Sequence, residues 1–374
     1  MALFSIINQE ENLESLKNTI SNKKIANSYL FYGAEGSGME AMAMEYAAML
    51  NCLEGGLDAC GECLSCKKIS NLEYSNLDLV YPVKRKGSRD DKDPFSSYSE
   101  KQMKEVQDEI GKKAQNPYHK IQLPKANSIP ISFIRKIQKN IHLSSNSKGW
   151  KVILFFEVHK MTVPAANAFL KILEEPPEQS VFILTTSQIS EILPTIKSRC
   201  QTLFFPPLKN EDIMNRLQHK KIPPEELNLI VNLAGGDYSE ALKLCDQGIA
   251  EIKNKTLEIL RSIARWDKKA IYNYVEELTG LYKKNNTVFN QLIRSIGFWF
   301  RDAAYVKSGA EEDSLIHSDQ YEEISNFVDN YSDFNPGNVN VVLEKCIAML
   351  ESNVYINVVL LETFFKIKKF AFKK

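Results

Sequence analysis

Four of the seven cysteines crowd into one short stretch, Cys52, Cys60, Cys63 and Cys66, spaced C-x7-C-x2-C-x2-C. Four thiolates so placed can close a tetrahedral Zn²⁺ site with no open coordination position, which makes such a metal structural rather than catalytic. Gly55, Gly56 and Gly61 supply the turns that a knuckle of this kind needs. Unliganded thiols and a redox pair remain the alternatives. A second group is Gly33-Ala34-Glu35-Gly36-Ser37-Gly38-Met39-Glu40. Gly33, Gly36 and Gly38 suit a loop whose backbone amides cradle phosphates, G-x-x-x-x-G-K-[ST]. Met39 stands where the phosphate-reaching lysine belongs, and Glu40 where the Mg²⁺-ligating hydroxyl belongs. A carboxylate about 4 Å from a phosphate charge costs on the order of 4 kcal/mol at an effective dielectric of about 20. The missing lysine also removes a cation that stabilises a transferring phosphoryl group. Glu40 falls in the first turn of the following helix, where the macrodipole favours it, and its carboxylate is expected to cap the vacant anion hole. Nucleotide hydrolysis is not expected here, while weak nucleotide binding stays open.

A hydrolysing loop of this type works with a second strand that ends in an acidic pair binding Mg²⁺. The matching run is Val152-Ile153-Leu154-Phe155-Phe156-Glu157-Val158-His159, where Glu157 remains and Phe156 fills the metal-binding slot. Both halves of the apparatus are altered together.

The elements that must position these groups alternate between strand and helix over residues 1–208. Apolar runs at Tyr29–Tyr32, Leu77–Tyr81, Val152–Phe156, Val181–Leu184 and Thr202–Phe205 are nearly continuous, as strands covered on both faces require. A helix from Val163 ends before Pro176-Pro177. The expected class is α/β, a parallel P-loop-type sheet carrying the zinc module (52–66). Pro206-Pro207 closes this part. Helices at Glu211–His219, Pro224–Ala234 and Asp237–Gln247 make a small lid unit, 209–250, and an all-α unit follows over 251–374. In the latter, Phe289, Leu292, Ile293, Ile296, Trp299 and Phe300 follow helical spacing, as do Val354, Val358, Leu361 and Phe365. Both stripes are read as buried bundle faces. Lys366, Lys368, Lys369, Lys373 and Lys374 close the last helix as a solvated cationic end.

One stretch is out of pattern. Residues 84–130 are polar, contain Gly87, Pro94 and Pro117, and hold eleven Lys/Arg against seven Asp/Glu. With a helix expected over Tyr98–Lys113, the stretch reads as an insertion, either a solvated, partly disordered loop or a source of phosphate contacts to DNA.

Over all 374 residues, 47 basic residues balance 47 acidic ones, so a chain-wide polyanion-binding bias is excluded and any nucleic-acid surface is local. No apolar run approaches the roughly 18 residues of a membrane span. The start, Met1-Ala2-Leu3-Phe4-Ser5, has no basic flank, and the expectation is a cytoplasmic protein without a membrane partner.

The glycine loop, the cysteine cluster after its helix, the segment Asn167-Ala168-Phe169-Leu170-Lys171-Ile172-Leu173-Glu174-Glu175-Pro176-Pro177 and the triplet Ser198-Arg199-Cys200 occur in this order. Together they resemble the bacterial DNA polymerase III clamp loader, an AAA+ assembly, over most of residues 1–250. Met39, Glu40 and Phe156 depart from its gamma/tau motor and resemble its non-hydrolysing delta-prime subunit, and Ser239 stands where the motor keeps a lid arginine. The resemblance implies that Arg199 is an arginine finger acting in trans on a neighbour's ATP, with Ser198 and Cys200 setting the turn and packing behind it. It also implies a five-subunit ring with gamma/tau and delta, assembled through a helical collar at 251–374, which as a complex loads a sliding clamp on primer-template DNA. The alternative is a gamma/tau-like ATPase with residual nucleotide binding. Thr185-Thr186-Ser187 occupies the family's phosphate-sensor position and is read as structural. The Leu-Glu-Glu-Pro-Pro stretch is read as a family marker, with Glu174 and Glu175 in solvent.

Overall fold

The structure is a computed structural model that describes residues 3–84, 93–96, 98–141, 149–331, 333–352 and 354–372. Part of the insertion, including Gly87, and Lys373 and Lys374 of the cationic end lie outside the described residues. The chain resolves into two compact units, Met1–Asp212 with Gly236–Ser239, and Ile213–Gly235 with Glu240–Lys374.

The first unit is built on strands β1 (Ser28–Gly33), β2 (Leu77–Val80), β3 (Val83–Lys84), β4 (Ala126–Ser128), β5 (Lys151–Phe155), β6 (Ser180–Thr186) and β7 (Gln201–Phe205). Five of them form one parallel sheet in the order β2-β5-β6-β1-β7. These are the five apolar runs of the sequence. β6 is buried at every residue, which is why it shows no polar alternation. The apolar helix Met39–Asn51 is likewise buried almost all round. In such a sheet ligands bind beyond the carboxyl ends of the strands. The glycine loop leaves β1 there, and Phe156 and Glu157 leave β5.

The insertion is more ordered than its polarity suggested. β3 and β4 pair antiparallel at its ends, and between them lies the helix Glu100–Gln115, started by a capping box of Ser99 and Gln102. Val106, Lys113, Tyr118 and Ile121 within it are buried, so this part is folded onto the domain rather than solvated.

The second unit is helical. The stripe from Phe289 to Phe300 is buried as expected, on helix Asn286–Lys307. A fully buried polar chain pins this helix: Asp302 accepts from the backbone N–H groups of Ile316 and His317 and pairs with His317 Nδ1, whose Nε2 faces Ser295 Oγ at 3.3 Å. A Ser–His–Asp series invites a catalytic reading, but all three residues have no solvent access, and a substrate cannot reach them. The second stripe is a correction. On helix Ile356–Ala371 the buried side carries Val359, Leu360, Phe364 and Ile367, whereas Val358 and Phe365 are 59% and 58% exposed, and Val354 and Leu361 are exposed too. Val358, Leu361 and Phe365 line an open groove of about 570 Å³ with Trp266, Ile271 and Tyr272. Among the described residues no helix is long and apolar enough to cross a membrane.

Candidate functional site

The glycine loop has the backbone its glycines permit. Gly36 and Gly38 have φ values of +64° and +97°, in the left-handed region that favours glycine. Side chains stand against two of its glycines. A Cβ at Gly36 would fall 1.8 Å from Asp237 Oδ1, and one at Gly38 would meet Tyr118 Oη at 3.1 Å. The Tyr118 ring stacks edge-on with Tyr238 at 4.9 Å, and its hydroxyl accepts from the Ile7 backbone N–H. Ser37 is buried and donates to Ala34 O at 2.7 Å, and Met39 is buried in the core. A carboxylate and a phenol thus lie against the backbone that a phosphate would need.

Glu40 does not cap the loop amides, as its place in the first helical turn had suggested. Its carboxylate accepts from Lys113 Nζ, brought by the insertion helix. The same ammonium donates to Pro117 O at 2.7 Å and stands 5.0 Å from the centre of the Phe156 ring, a cation–π contact. Lys113 is 0% exposed. Burial pulls its ammonium below the usual lysine range, and the Glu40 carboxylate opposes that pull. Lys120, from the same insertion, bonds Glu35 at 3.1 Å and Glu157 at 2.8 Å. Burial would lower Lys120, but the Glu157 and Glu35 carboxylates outweigh it and hold the ammonium above its ordinary value. Burial would raise Glu157, yet Lys120 and Lys160 hold it below the usual carboxylate range. Glu157 also adopts φ 54°, ψ 50°, a left-handed conformation uncommon for glutamate, at the end of β5. At the end of β6, Thr186 Oγ1 pairs with His159 Nδ1 at 3.0 Å and accepts from the Gln188 N–H, local partners that fit a structural role.

Ser198-Arg199-Cys200 follows the short helix Pro194–Lys197. The backbone is fixed by Ser198 N–H to Pro194 O at 2.9 Å and Cys200 N–H to Lys197 O at 3.2 Å, while Ser28 Oγ donates to Arg199 O at 2.6 Å. Ser198 Oγ donates to Thr195 O. Cys200 packs against the core, and burial pushes its thiol up to about 11, so it is a neutral packing group at pH 7. Arg199 itself is exposed, with Nη1 on Thr195 O and Nη2 on Glu174 Oε1, both at 3.0 Å. Glu174 is exposed, as the sequence reading had it, and in addition pairs with Arg199.

Cys52, Cys60, Cys63 and Cys66 place their sulfurs within 4.8 Å of one another. Backbone N–H groups of Cys60, Cys63 and Cys66 point at Cys52, Cys60 and Cys63 Sγ respectively, at 3.3–3.5 Å. Burial alone would raise the Cys63 thiol, but N–H donors from Cys66 and Leu53 outweigh it and bring it to about 6. Four converging sulfurs supplied with N–H donors form a group able to hold a metal ion, and the all-thiolate donor set fits Zn²⁺.

Lys113, Tyr118, Lys120 and Asp237 were not singled out from the sequence. Lys113 lies 73 residues from Glu40, and nothing in the local pattern separates it from the ten other cations of the insertion.

Residues 8–209, more than half of the chain, match the family described as DNA polymerase III, delta subunit. The delta' subunit of DNA polymerase III from Bacillus subtilis (strain 168) is 27% identical over 313 residues, covering 83% of this chain and 82% of the relative. The tau subunit of the same organism is 28% identical over 252 residues, covering 66% of this chain but 37% of tau. Among solved structures, a gamma-subunit-related protein of DNA polymerase III from Thermotoga maritima aligns over 96% of this chain and 99% of its own, at 17% identity and a TM-score of 0.42. The chain belongs to the DNA polymerase III delta-subunit family, among the clamp-loader AAA+ subunits related to delta-prime and gamma/tau.

Proposed function

We propose that the chain is a delta-prime-type clamp-loader subunit that hydrolyses no ATP itself and supplies Arg199 to the ATP site of an adjacent motor subunit. The observation that carries this reading is a contrast within one domain. The glycine loop is lined by Asp237, Tyr118 and the Glu40–Lys113 pair, while the Arg199 guanidinium is exposed on a backbone fixed by Ser198, Cys200 and Ser28. Its tie to Glu174 is a surface pair, worth about 0–1 kcal/mol. A guanidinium delivered in trans to a γ-phosphate is worth roughly 10³–10⁵ in turnover, so releasing Glu174 costs little beside the gain.

In this reading Zn²⁺ held by Cys52, Cys60, Cys63 and Cys66 pins the segment that follows the loop helix. The lid (209–250) and collar (251–374) carry assembly into a five-subunit ring with gamma/tau and delta, which loads the sliding clamp on primer-template DNA in the cytoplasm. The exposed apolar groove of Val358, Leu361 and Phe365 supports an assembly role for the collar, since exposed apolar patches mark interaction surfaces. The similarity to tau favours one other reading, a motor with its own ATPase. The two separate in a steady-state ATPase assay. The isolated chain should show no turnover, and adding it to motor and delta subunits should complete a ring that hydrolyses ATP. Turnover by the isolated chain would overturn the proposal.

A further inference from the structure

In a working loop of this class, Mg²⁺ sits between the hydroxyl that follows the loop lysine and the acidic residue ending a second strand. Those positions are Glu40 and Phe156 here. Neither is simply lost, because both face one ammonium, that of Lys113: Glu40 by an ion pair and Phe156 by its ring face. The next residues of the insertion reach the rest of the site. Tyr118 covers Gly38, and Lys120 joins Glu35 of the loop to Glu157 at the end of β5. The residues present therefore do not fit a Mg²⁺–nucleotide. An ammonium already stands against both residues that would flank the metal, and a phenol and a carboxylate stand against Gly38 and Gly36 of the loop.

We propose that the segment Lys113–Lys120 is a built-in plug of a former nucleotide site, its Lys113 ammonium standing in for the divalent ion. The proposal rests on the reading of the loop as silent and adds what keeps it so. A tethered charge competes at an effective concentration set by its own chain, and free Mg²⁺ must displace it to bind. Glu40 and Phe156 are then a matched receptor for Lys113 rather than two independent losses. This gives the insertion a function that neither a solvated loop nor a DNA-binding loop supplies.

The test is binding of a fluorescent ADP analogue, MANT-ADP with Mg²⁺, to three forms of the full chain. These are the wild type, a restored loop (Met39→Lys, Glu40→Thr, Phe156→Asp), and the restored loop with Lys113→Ala, Tyr118→Ala and Lys120→Ala. In the restored loop the new carboxylate at position 156 keeps Lys113 paired. Saturable binding by the third form alone is the expected result. Equal binding by the second and third forms overturns the plug and leaves the silent-loop reading standing, and binding by neither overturns it too, since the loop itself then bars the ligand. Tight binding by the wild type overturns both. A thermal-unfolding cycle of Glu40→Ala, Lys113→Met and the double variant checks the contact without any ligand. The double variant should be more stable than the product of the single effects by about tenfold or more in the unfolding constant, the scale of coupled contacting pairs. Multiplicative effects would overturn the pairing.

Discussion

Two parts of the same sheet domain treat charge in opposite ways. At the glycine loop the charges pair with one another: Lys113 is fully buried against Glu40 and Phe156, and Lys120 bridges Glu35 and Glu157. At the Ser198–Cys200 turn the backbone is fixed, but the guanidinium faces outward, held by Glu174 and the Thr195 carbonyl. A closed corner satisfies its own charges and has little left for a ligand. An exposed arginine on a rigid turn keeps its charge for something outside the chain. In the proposed function, the difference separates a silent loop from an arginine offered to a neighbour.

The largest expected effect comes from the knuckle, because it bears on one region and spares the other. Cys52 ends the helix Met39–Asn51 whose first turn carries Glu40. Isolated zinc knuckles draw about 10 kcal/mol or more of apparent folding energy from their metal. Cys66→Ser should lower metal content from one Zn²⁺ per chain to none. Hydrogen exchange should then rise over residues 39–70 and stay unchanged at Ser198–Cys200. A uniform rise would merge the two regions into one cooperative whole.

A smaller effect is expected from pH. Glu157 has its folded value below the ordinary carboxylate range, so its contribution is complete above the unfolded value near 4.5 and is lost as pH falls through the folded value. Lys120 is raised above its ordinary value of 10.5, so its contribution is complete below that value and is lost as pH rises through the folded value. The contribution of the Lys120–Glu157 pair should therefore be flat across the neutral range and fall on acidification, by about 1.4 kcal/mol per pH unit of Glu157 displacement. In a urea series from pH 7 to pH 3, Glu157→Gln should flatten the acid limb. An unchanged limb would mean that Lys120 and Glu157 are not coupled as their 2.8 Å contact implies.

The smallest change belongs to the open edge. Glu174→Ala removes an exposed partner and should cost no more than about 1 kcal/mol in denaturant unfolding. A loss several times larger would show that Arg199 is a structural strut, and the contrast between the regions would fail.

The five sheet strands were legible because burial on both faces leaves near-continuous apolar runs, as in Val152–Phe155 and Val181–Leu184. The cysteine cluster and the Ser198-Arg199-Cys200 triplet were legible because each is local in sequence. Helix Ile356–Ala371 was assigned the wrong buried face for a physical reason. Val358, Val359, Leu360, Leu361, Phe364 and Phe365 make it apolar nearly all round, so periodicity offers two stripes and only packing selects between them. The plug was illegible because its contacts are long-range. A surface-like charged helix gives no sign that one of its lysines is buried against a glutamate 73 residues away. Glu174 was missed similarly: a helix stop predicts exposure but not the arginine that lies 25 residues on.

The most direct measurement is steady-state ATP turnover of a reconstituted clamp loader, with clamp and primed DNA, comparing wild type and Arg199→Ala. The account predicts a fall of about tenfold or more with the ring still assembled and the isolated chain inactive. Unchanged turnover in an intact ring would contradict it, leaving Arg199 a surface residue and the chain a silent member of the ring at both of its sites.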